Sequence, residues 1–178
     1  MTEKIQYIKR HTKGWRAIYV RSRAEKKAQE ALTARGIECF LPIQRKLRQW
    51  SDRKKVVEMP AINGYLFVNP KTLQERQLIP TINHVVAYVR FQGKDAIIPD
   101  KQIQLVKKIL HQTDIPATLE IGDLPKGKNI MVKEGPFAGE KATVVETKGK
   151  KRVVVQVEQV NFLLTLEINS QIMEYQEL

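Results

Sequence analysis

Cysteine is almost absent from this 178-residue chain. Cys39 is the only one, which excludes an internal disulfide and a Cys-rich zinc site. Histidine is nearly as scarce: His11, His84 and His111 fall in three separate segments, and none has a neighbour at metal-ligand spacing. Serines are few, and none lies in a nucleophile-elbow context. Gly135-Pro136-Phe137-Ala138-Gly139 lacks the Lys-Ser/Thr of a phosphate loop. Asp52, Asp95, Asp100, Asp114 and Asp123 are scattered over expected turns, where turn and capping roles are the default. Without an acid, base and nucleophile set, no enzyme is expected, and no metal or cofactor. No apolar run approaches the ~20 residues of a membrane span. Met1–Arg10 has charge but no apolar h-region, so no secretory signal is expected either. The expectation is a cytoplasmic monomer with no membrane partner.

What is present is charge. Lys and Arg total 31 against 19 Asp and Glu, a net +12. Residues 1–116 carry 23 basic and 10 acidic side chains, a net +13, whereas residues 117–178 carry 8 and 9, a net −1. The basic half is suited to a polyanion, and the near-neutral half to something else. With 42% apolar and 28% charged residues, the composition is that of an ordinary folded protein.

Met1–Lys13 reads as a loose polar tail. Trp15–Val20 alternates as a strand. Ser22 with Glu25 three residues later reads as a capping box, opening a helix to about Arg35 with the stripe Ala24, Ala28, Ala31 and Leu32, stopped by Gly36. Ile37–Pro42 reads as a second strand. Gln44–Lys55 holds six basic side chains and one acid with no clear period, a long hairpin or loop that Val56–Met59 could close. Ile62-Asn63-Gly64-Tyr65 is a turn into the strand Tyr65–Asn69. A short helix is expected at Leu73–Ile79, a strand at Val85–Phe91, and a helix from Pro99-Asp100 with Ile103, Val106, Ile109 and Leu110 on one face. This order predicts an α+β fold in which one sheet is covered by helices. Residues 113–125 hold two prolines and a glycine and read as a linker between residues 14–112 and 126–178. Beyond it, strands are expected at Asn129–Val132, Ala142–Glu146, Arg152–Val157, Asn161–Ile168 and Gln171–Glu174. Five short strands predict a small β-barrel.

Three constellations carry the functional reading. Arg45, Lys46, Arg48, Arg53, Lys54 and Lys55 surround Trp50. Cations neutralise phosphates and an indole stacks on an unpaired base, so this segment suits a nucleic-acid strand; Arg21, Arg23 and Arg35 extend it. A solvated charged loop is the plain alternative. Trp15, Tyr19, Phe40, Ile62, Tyr65 and Phe67 form an aromatic and apolar set on neighbouring strands. Alternation is expected to keep them from all sharing one face, leaving some to line an exposed depression. In the C-terminal half, Gly135, Phe137 and Gly139 mark a structured turn, and Leu163 is expected to point away from the Phe162/Leu164 face as a partner contact.

Lys128-Asn129-Ile130-Met131-Val132-Lys133-Glu134-Gly135-Pro136-Phe137-Ala138-Gly139 resembles a KOW motif. Trp15…Tyr19, the helix after Ser22, Phe40-Leu41-Pro42 and Gly64-Tyr65-Leu66-Phe67-Val68 resemble a NusG N-terminal (NGN) domain. In this order they resemble a NusG-family transcription elongation factor. Leu47–Lys55 is similar to the UpxY antiterminators of capsular polysaccharide loci. Val89-Arg90-Phe91 with Ala96-Ile97-Ile98-Pro99 is similar to the RfaH-like branch. The resemblance implies an NGN-like domain, a KOW/SH3-like barrel and operon-specific antitermination on RNA polymerase. It implies β′ clamp coiled-coil contacts at Tyr19, Ile62, Asn63, Tyr65 and Phe67, and β gate-loop contacts at Glu75, Arg76 and Gln77. Arg21 and Arg35 match positions facing the non-template DNA strand, with leader RNA as the other candidate. Phe162 and Leu163 fall where relatives recruit a ribosomal protein or Rho. A general elongation factor and a ribosome- or RNA-binding KOW protein remain the alternatives.

Overall fold

The computed structural model describes residues 14–49, 53–111, 117–122, 125–133, 138–147, 150–157, 162–168 and 175–177. The tail Met1–Lys13, Trp50, Gly135, Phe137 and the expected strand Gln171–Glu174 lie outside them. The described residues fall into two compact units. One comprises those of Met1–Pro42 and Asn63–Ile103, the other those of Ile43–Ile62 and Gln104–Leu178.

The first unit is built on a five-stranded antiparallel sheet. Its strands are β1 (Trp15–Val20), β2 (Cys39–Phe40), β5 (Tyr65–Val68), β6 (Val85–Tyr88) and β9 (Ile97–Ile98). The order is β2-β5-β1-β6, with β9 pairing the start of β1. Strand β1 is central, and Trp15, Ala17, Ile18 and Val20 are buried. Helix α1 (Glu25–Thr33) packs on β2 and β5, burying Ala28 and Leu32. Gly36, at φ +71, ends the helix as expected, in the left-handed conformation a Cβ disfavours. The second expected strand is shorter than Ile37–Pro42 and covers Cys39–Phe40 alone.

The expected capping box at Ser22 and Glu25 is absent: α1 has no side-chain cap, because the Glu25 carboxyl is taken elsewhere. A reciprocal cap stands instead at α2 (Leu73–Leu78). Thr72 Oγ1 accepts the Glu75 N–H at 3.1 Å, and Glu75 Oε2 accepts the Lys71 N–H at 2.8 Å. A 3-10 turn, Ile79–Thr81, follows. The strand expected at Val85–Phe91 breaks at Val89. Its last residues form β7 (Arg90–Phe91), which pairs with β8 (Lys94–Asp95) across Gln92 and Gly93 at φ +50 and +78, the two positive values of a type I′ turn. Helix α3 (Asp100–His111) buries Ile103, Val106 and Ile109, and Trp15 Nε1 donates to Asp100 Oδ1 at 2.9 Å.

In the second unit, β3 (Ile43–Gln49) and β4 (Lys54–Pro60) form a two-stranded hairpin. The C-terminal strands form one antiparallel sheet, with β10 (Ala117–Ile121), β11 (Lys128–Val132), β12 (Lys141–Thr147), β13 (Lys150–Val157), β14 (Phe162–Ile168) and β15 (Tyr175–Glu177) in the order β10-β14-β13-β12-β11-β15. The sixth strand corrects the expected count of five. Ala117–Ile121, read as linker, pairs along its whole length with Leu166–Phe162 of β14. Ile130, Val132, Val153, Val155, Phe162 and Leu164 are buried. Gly127 is a position the sequence reading passed over: a Cβ there would overlap the Val144 carbonyl oxygen and lie 2.7 Å from Thr143 Cγ2.

Candidate functional site: an aromatic patch and a basic hairpin

Sheet register assembles the aromatic set. Tyr19 stands opposite Tyr65, Ala17 opposite Phe67, and Phe40 opposite Phe67. Directly opposed residues share a face, and so do alternate residues of one strand. Trp15, Tyr19, Tyr65, Phe67 and Phe40 therefore lie on one face of the sheet. Five of the six thus share one face, and Ile62 lies in the bend before β5, outside the sheet. The row runs from core to surface. Trp15 and Phe67 are fully buried, and Phe67 stacks on half-buried Phe40 with centroids 6.0 Å apart. At the other end Tyr19 is 39% exposed and Tyr65 half-buried, with ring centroids 4.8 Å apart at 56°. Tilted pairs of this kind contribute about 0.5–1.5 kcal/mol beyond their buried area. Burial, together with the hydroxyl and the charge of Tyr19, pushes the Tyr65 phenol well above its ordinary range.

Strand β6 widens the patch through exposed Ala87, which stands opposite Tyr19. Tyr19 pairs with Ala87 but Val20 with Val85, so Val86 is an extra residue in β6, a bulge that turns it outward, 59% exposed. On the opposite side the turn before β5 is held at Gly64, whose φ is +76. The Gly64 carbonyl accepts the Val20 N–H at 2.9 Å, and its N–H donates to Glu25 Oε1 at 2.7 Å. Of the residues assigned to this surface by resemblance, Tyr19, Asn63 and in part Tyr65 reach solvent; Ile62 and Phe67, 5% and 0% exposed, are core.

The three residues on α2 have different surroundings. Gln77 is exposed. Glu75 caps its helix. Arg76 donates through Nη2 and Nε to Asp95 Oδ2 at 2.7 and 3.2 Å, while its carbonyl accepts the Tyr88 hydroxyl at 2.9 Å. Arg16, 1% exposed, donates to the Gly14 carbonyl at 2.8 Å and holds its Nε 4.0 Å from the same Asp95 oxygen. Burial, and then the charge of Arg76, pull the Arg16 guanidinium below its usual range, against Tyr88 and Asp95. Burial pushes the Tyr88 phenol up. One carboxylate thus ties α2 and the β7–β8 hairpin to β1. The reading of scattered aspartates as turn residues missed this role of Asp95.

The basic segment is a regular hairpin. Arg45 faces Glu58 at 3.0 Å, both more than half exposed, and a pair so exposed contributes little. Toward its end Arg48 stands directly opposite Lys55, and Gln49 opposite Lys54. Lys46 stands opposite Val57. Arg53, Lys54 and Lys55 are exposed. In the other unit, Arg21 and Arg23 are exposed before α1, and Arg35 donates to the Ala31 carbonyl at its end.

In the C-terminal sheet Gly139, at φ +81, adopts the conformation glycine favours. Phe162 is buried and Leu163 half-buried, so Phe162 offers no surface to a partner and Leu163 only part of one. Ala142 is buried in strand β12 opposite Ile130. Cys39 is half-buried, and burial pushes its thiol up. Among the described residues no group of three His, Cys, Asp or Glu side chains is placed to hold a metal ion, and no helix is long and apolar enough to cross a membrane.

Glu25 is the residue that sequence reasoning placed wrongly. A signal for it was there: it lies three and seven residues before Ala28 and Leu32, on their buried stripe.

Comparison with known proteins agrees with this layout. The family model described as transcription termination factor nusG matches residues 13–107, and the KOW motif model matches residues 126–158. A solved structure described as domain interaction in Thermotoga maritima NusG is similar in fold. It has 18% identity and a TM-score of 0.52, and the match covers 91% of this chain and 96% of that one.

Proposed function

This chain belongs to the NusG family of transcription factors, and from that premise we propose that it binds RNA polymerase through the surface around Tyr19 and Tyr65. The observation that carries the reading is the way a buried aromatic row opens onto exposed Tyr19 and half-buried Tyr65 beside exposed Ala87. Aromatic side chains presented by the inner strands of a sheet supply contact area at low entropic cost. The polymerase element suited to it is an apolar one, the clamp coiled coil of the β′ subunit. Gln77 and the exposed side of α2 are then available to the β gate loop.

The mechanism requires no bond to be made or broken by the protein. A ligand that prefers the closed, elongating clamp shifts the polymerase toward it by its differential affinity alone. Bridging β′ and β across the cleft does this. The β3–β4 hairpin and Arg21, Arg23 and Arg35 hold the displaced non-template strand or leader RNA, adding salt-dependent affinity. Residues 14–112 act as the polymerase-binding domain. The C-terminal sheet β10–β15 acts as the KOW domain for a ribosomal protein or Rho. The likeness of Leu47–Lys55 to the UpxY antiterminators supports the specialised branch, an antiterminator acting on its own operon, such as one for capsular polysaccharide.

The test is in vitro transcription with the cognate polymerase on a template carrying a pause, a terminator and the leader of the gene neighbourhood. Read-through confined to that leader is the expected result. Read-through on every template would replace the operon-specific reading with a general elongation factor. No effect, with tight binding to structured RNA, would replace both with a ribosome- or RNA-binding role.

A further inference from the structure

The turn that delivers Tyr65 to the patch is held by a side chain 39 residues away. Glu25 opens α1, is 4% exposed, and shares the buried stripe of Ala28 and Leu32. A buried carboxyl group is costly unless it is hydrogen-bonded, and an apolar residue would satisfy that stripe more simply. Its Oε1 accepts the Gly64 N–H at 2.7 Å. The carbonyl of the same glycine is held by the Val20 N–H at 2.9 Å. Gly64 is thus fixed on both sides in a left-handed conformation, φ +76, immediately before Tyr65.

We propose that Glu25 is a positioning residue: it anchors the Asn63–Gly64 turn and so sets Tyr65 against Tyr19, fixing the shape of the surface offered to the polymerase. Three features of the geometry support it. Helix α1 is rigidly seated on β2 and β5. Its N-terminus, where backbone N–H groups concentrate positive potential, favours an acidic residue at that position. The bond links this element to the turn that precedes half-buried Tyr65. The Tyr65 phenol is raised first by burial and then by the Tyr19 hydroxyl beside it. The inference rests on the docking reading only for the identity of the partner; the placement of Tyr65 is independent of it.

The experiment compares Glu25→Gln, Glu25→Asp and Tyr65→Ala in the full chain, with three readouts. These are amide exchange at Gly64, the nuclear Overhauser contact between the Tyr19 and Tyr65 rings, and affinity for RNA polymerase. Gln keeps the reach and an acceptor oxygen, so all three should stay within about twofold of the parent. Asp keeps the charge but is one methylene short. Losing a hydrogen bond to a charged group should speed Gly64 exchange at least about tenfold, weaken the ring contact and lower polymerase affinity at least about tenfold, while the cooperative melt persists. If Glu25→Asp leaves Gly64 protected and the rings in contact, the proposal is overturned. It is equally overturned if Glu25→Asp binds polymerase normally while Tyr65→Ala does not. If Gly64 and the rings respond but neither variant changes polymerase affinity, the docking reading fails and the placement of Tyr65 by Glu25 stands.

Discussion

Replacing Asp95 with alanine should be among the most destabilising single changes outside the apolar core. Its Oδ2 accepts two hydrogen bonds from Arg76 and lies 4.0 Å from Arg16 Nε. The three side chains are unequal: Arg16 is 1% exposed, Asp95 15% and Arg76 30%. Removing one partner of a buried charge pair costs about 3–5 kcal/mol, because the remaining charge is stranded. Arg76 can turn toward water, which reduces its share. Arg16 cannot, and without Asp95 it loses one of the two groups that offset the repulsion of Arg76. The expected cost is therefore near the lower bound, about 3 kcal/mol. At a urea m-value of about 1–3 kcal/mol/M, that moves the midpoint down by at least about 1 M. The assay is urea unfolding followed by Trp15 fluorescence in a Trp50→Phe background, because Trp15 is buried on the strand the cluster anchors. Arg76→Ala should cost less, since it removes the repulsion along with the ion pair. The double variant should cost less than the two singles together, by about 1–2 kcal/mol, as contacting residues do. A loss below about 0.5 kcal/mol for Asp95→Ala, the range of ordinary surface substitutions, would refute the reasoning.

Two further outcomes follow from named positions. Tyr88 titrates above its ordinary value of 10.0 in the folded chain because it is buried. Above about pH 10 the unfolded chain releases that proton while the folded one retains it, so stability is full below pH 10 and falls as pH rises toward the folded value. Denaturant midpoints measured from pH 8 to 11 should decline above pH 10, and Tyr88→Phe should flatten the decline while costing its bond to the Arg76 carbonyl. Gly127→Ala should destabilise the C-terminal sheet by about 1–3 kcal/mol, because the new methyl group forces the β12 backbone at Val144 to move. Amide exchange should rise first at Thr143 and Val144, and unchanged exchange there would contradict the close approach.

Local patterns were legible wherever the information is local. Trp15–Val20 reads as a strand because its apolar positions alternate with Arg16 and Tyr19, and both ends match the structure. The helix from Asp100 follows from its spacing of apolar residues, and Gly36 marks a helix end for a steric reason. The misreadings share a different cause. Ser22 and Glu25 have the spacing of a cap, but a partner 39 residues away competes for the Glu25 carboxyl, and no local window contains it. Ala117–Ile121 was hidden by its flanking prolines, Pro116 and Pro125, although Leu119 and Ile121 alternate; its pairing with β14 supplies what propensity does not. The strand Ile43–Gln49 has no period because five of its seven residues are polar, at both odd and even positions. The convergence of the aromatic row depends on register between strands, which alternation within each strand leaves open. Asp95 became significant only once β7–β8 brought it to Arg16 and Arg76.

The most direct test is the equilibrium binding of RNA polymerase to the parent chain and to Tyr65→Ala, with Asn129→Ala, on the C-terminal sheet, as a control. The parent should bind. Tyr65→Ala should keep a cooperative melt and lose at least about 2 kcal/mol of binding energy, roughly thirtyfold in affinity, as a central interface aromatic does, while the control binds as the parent does. Parent and Tyr65→Ala chains that bind equally, or a parent that does not bind at all, would contradict the assignment of this patch to the polymerase.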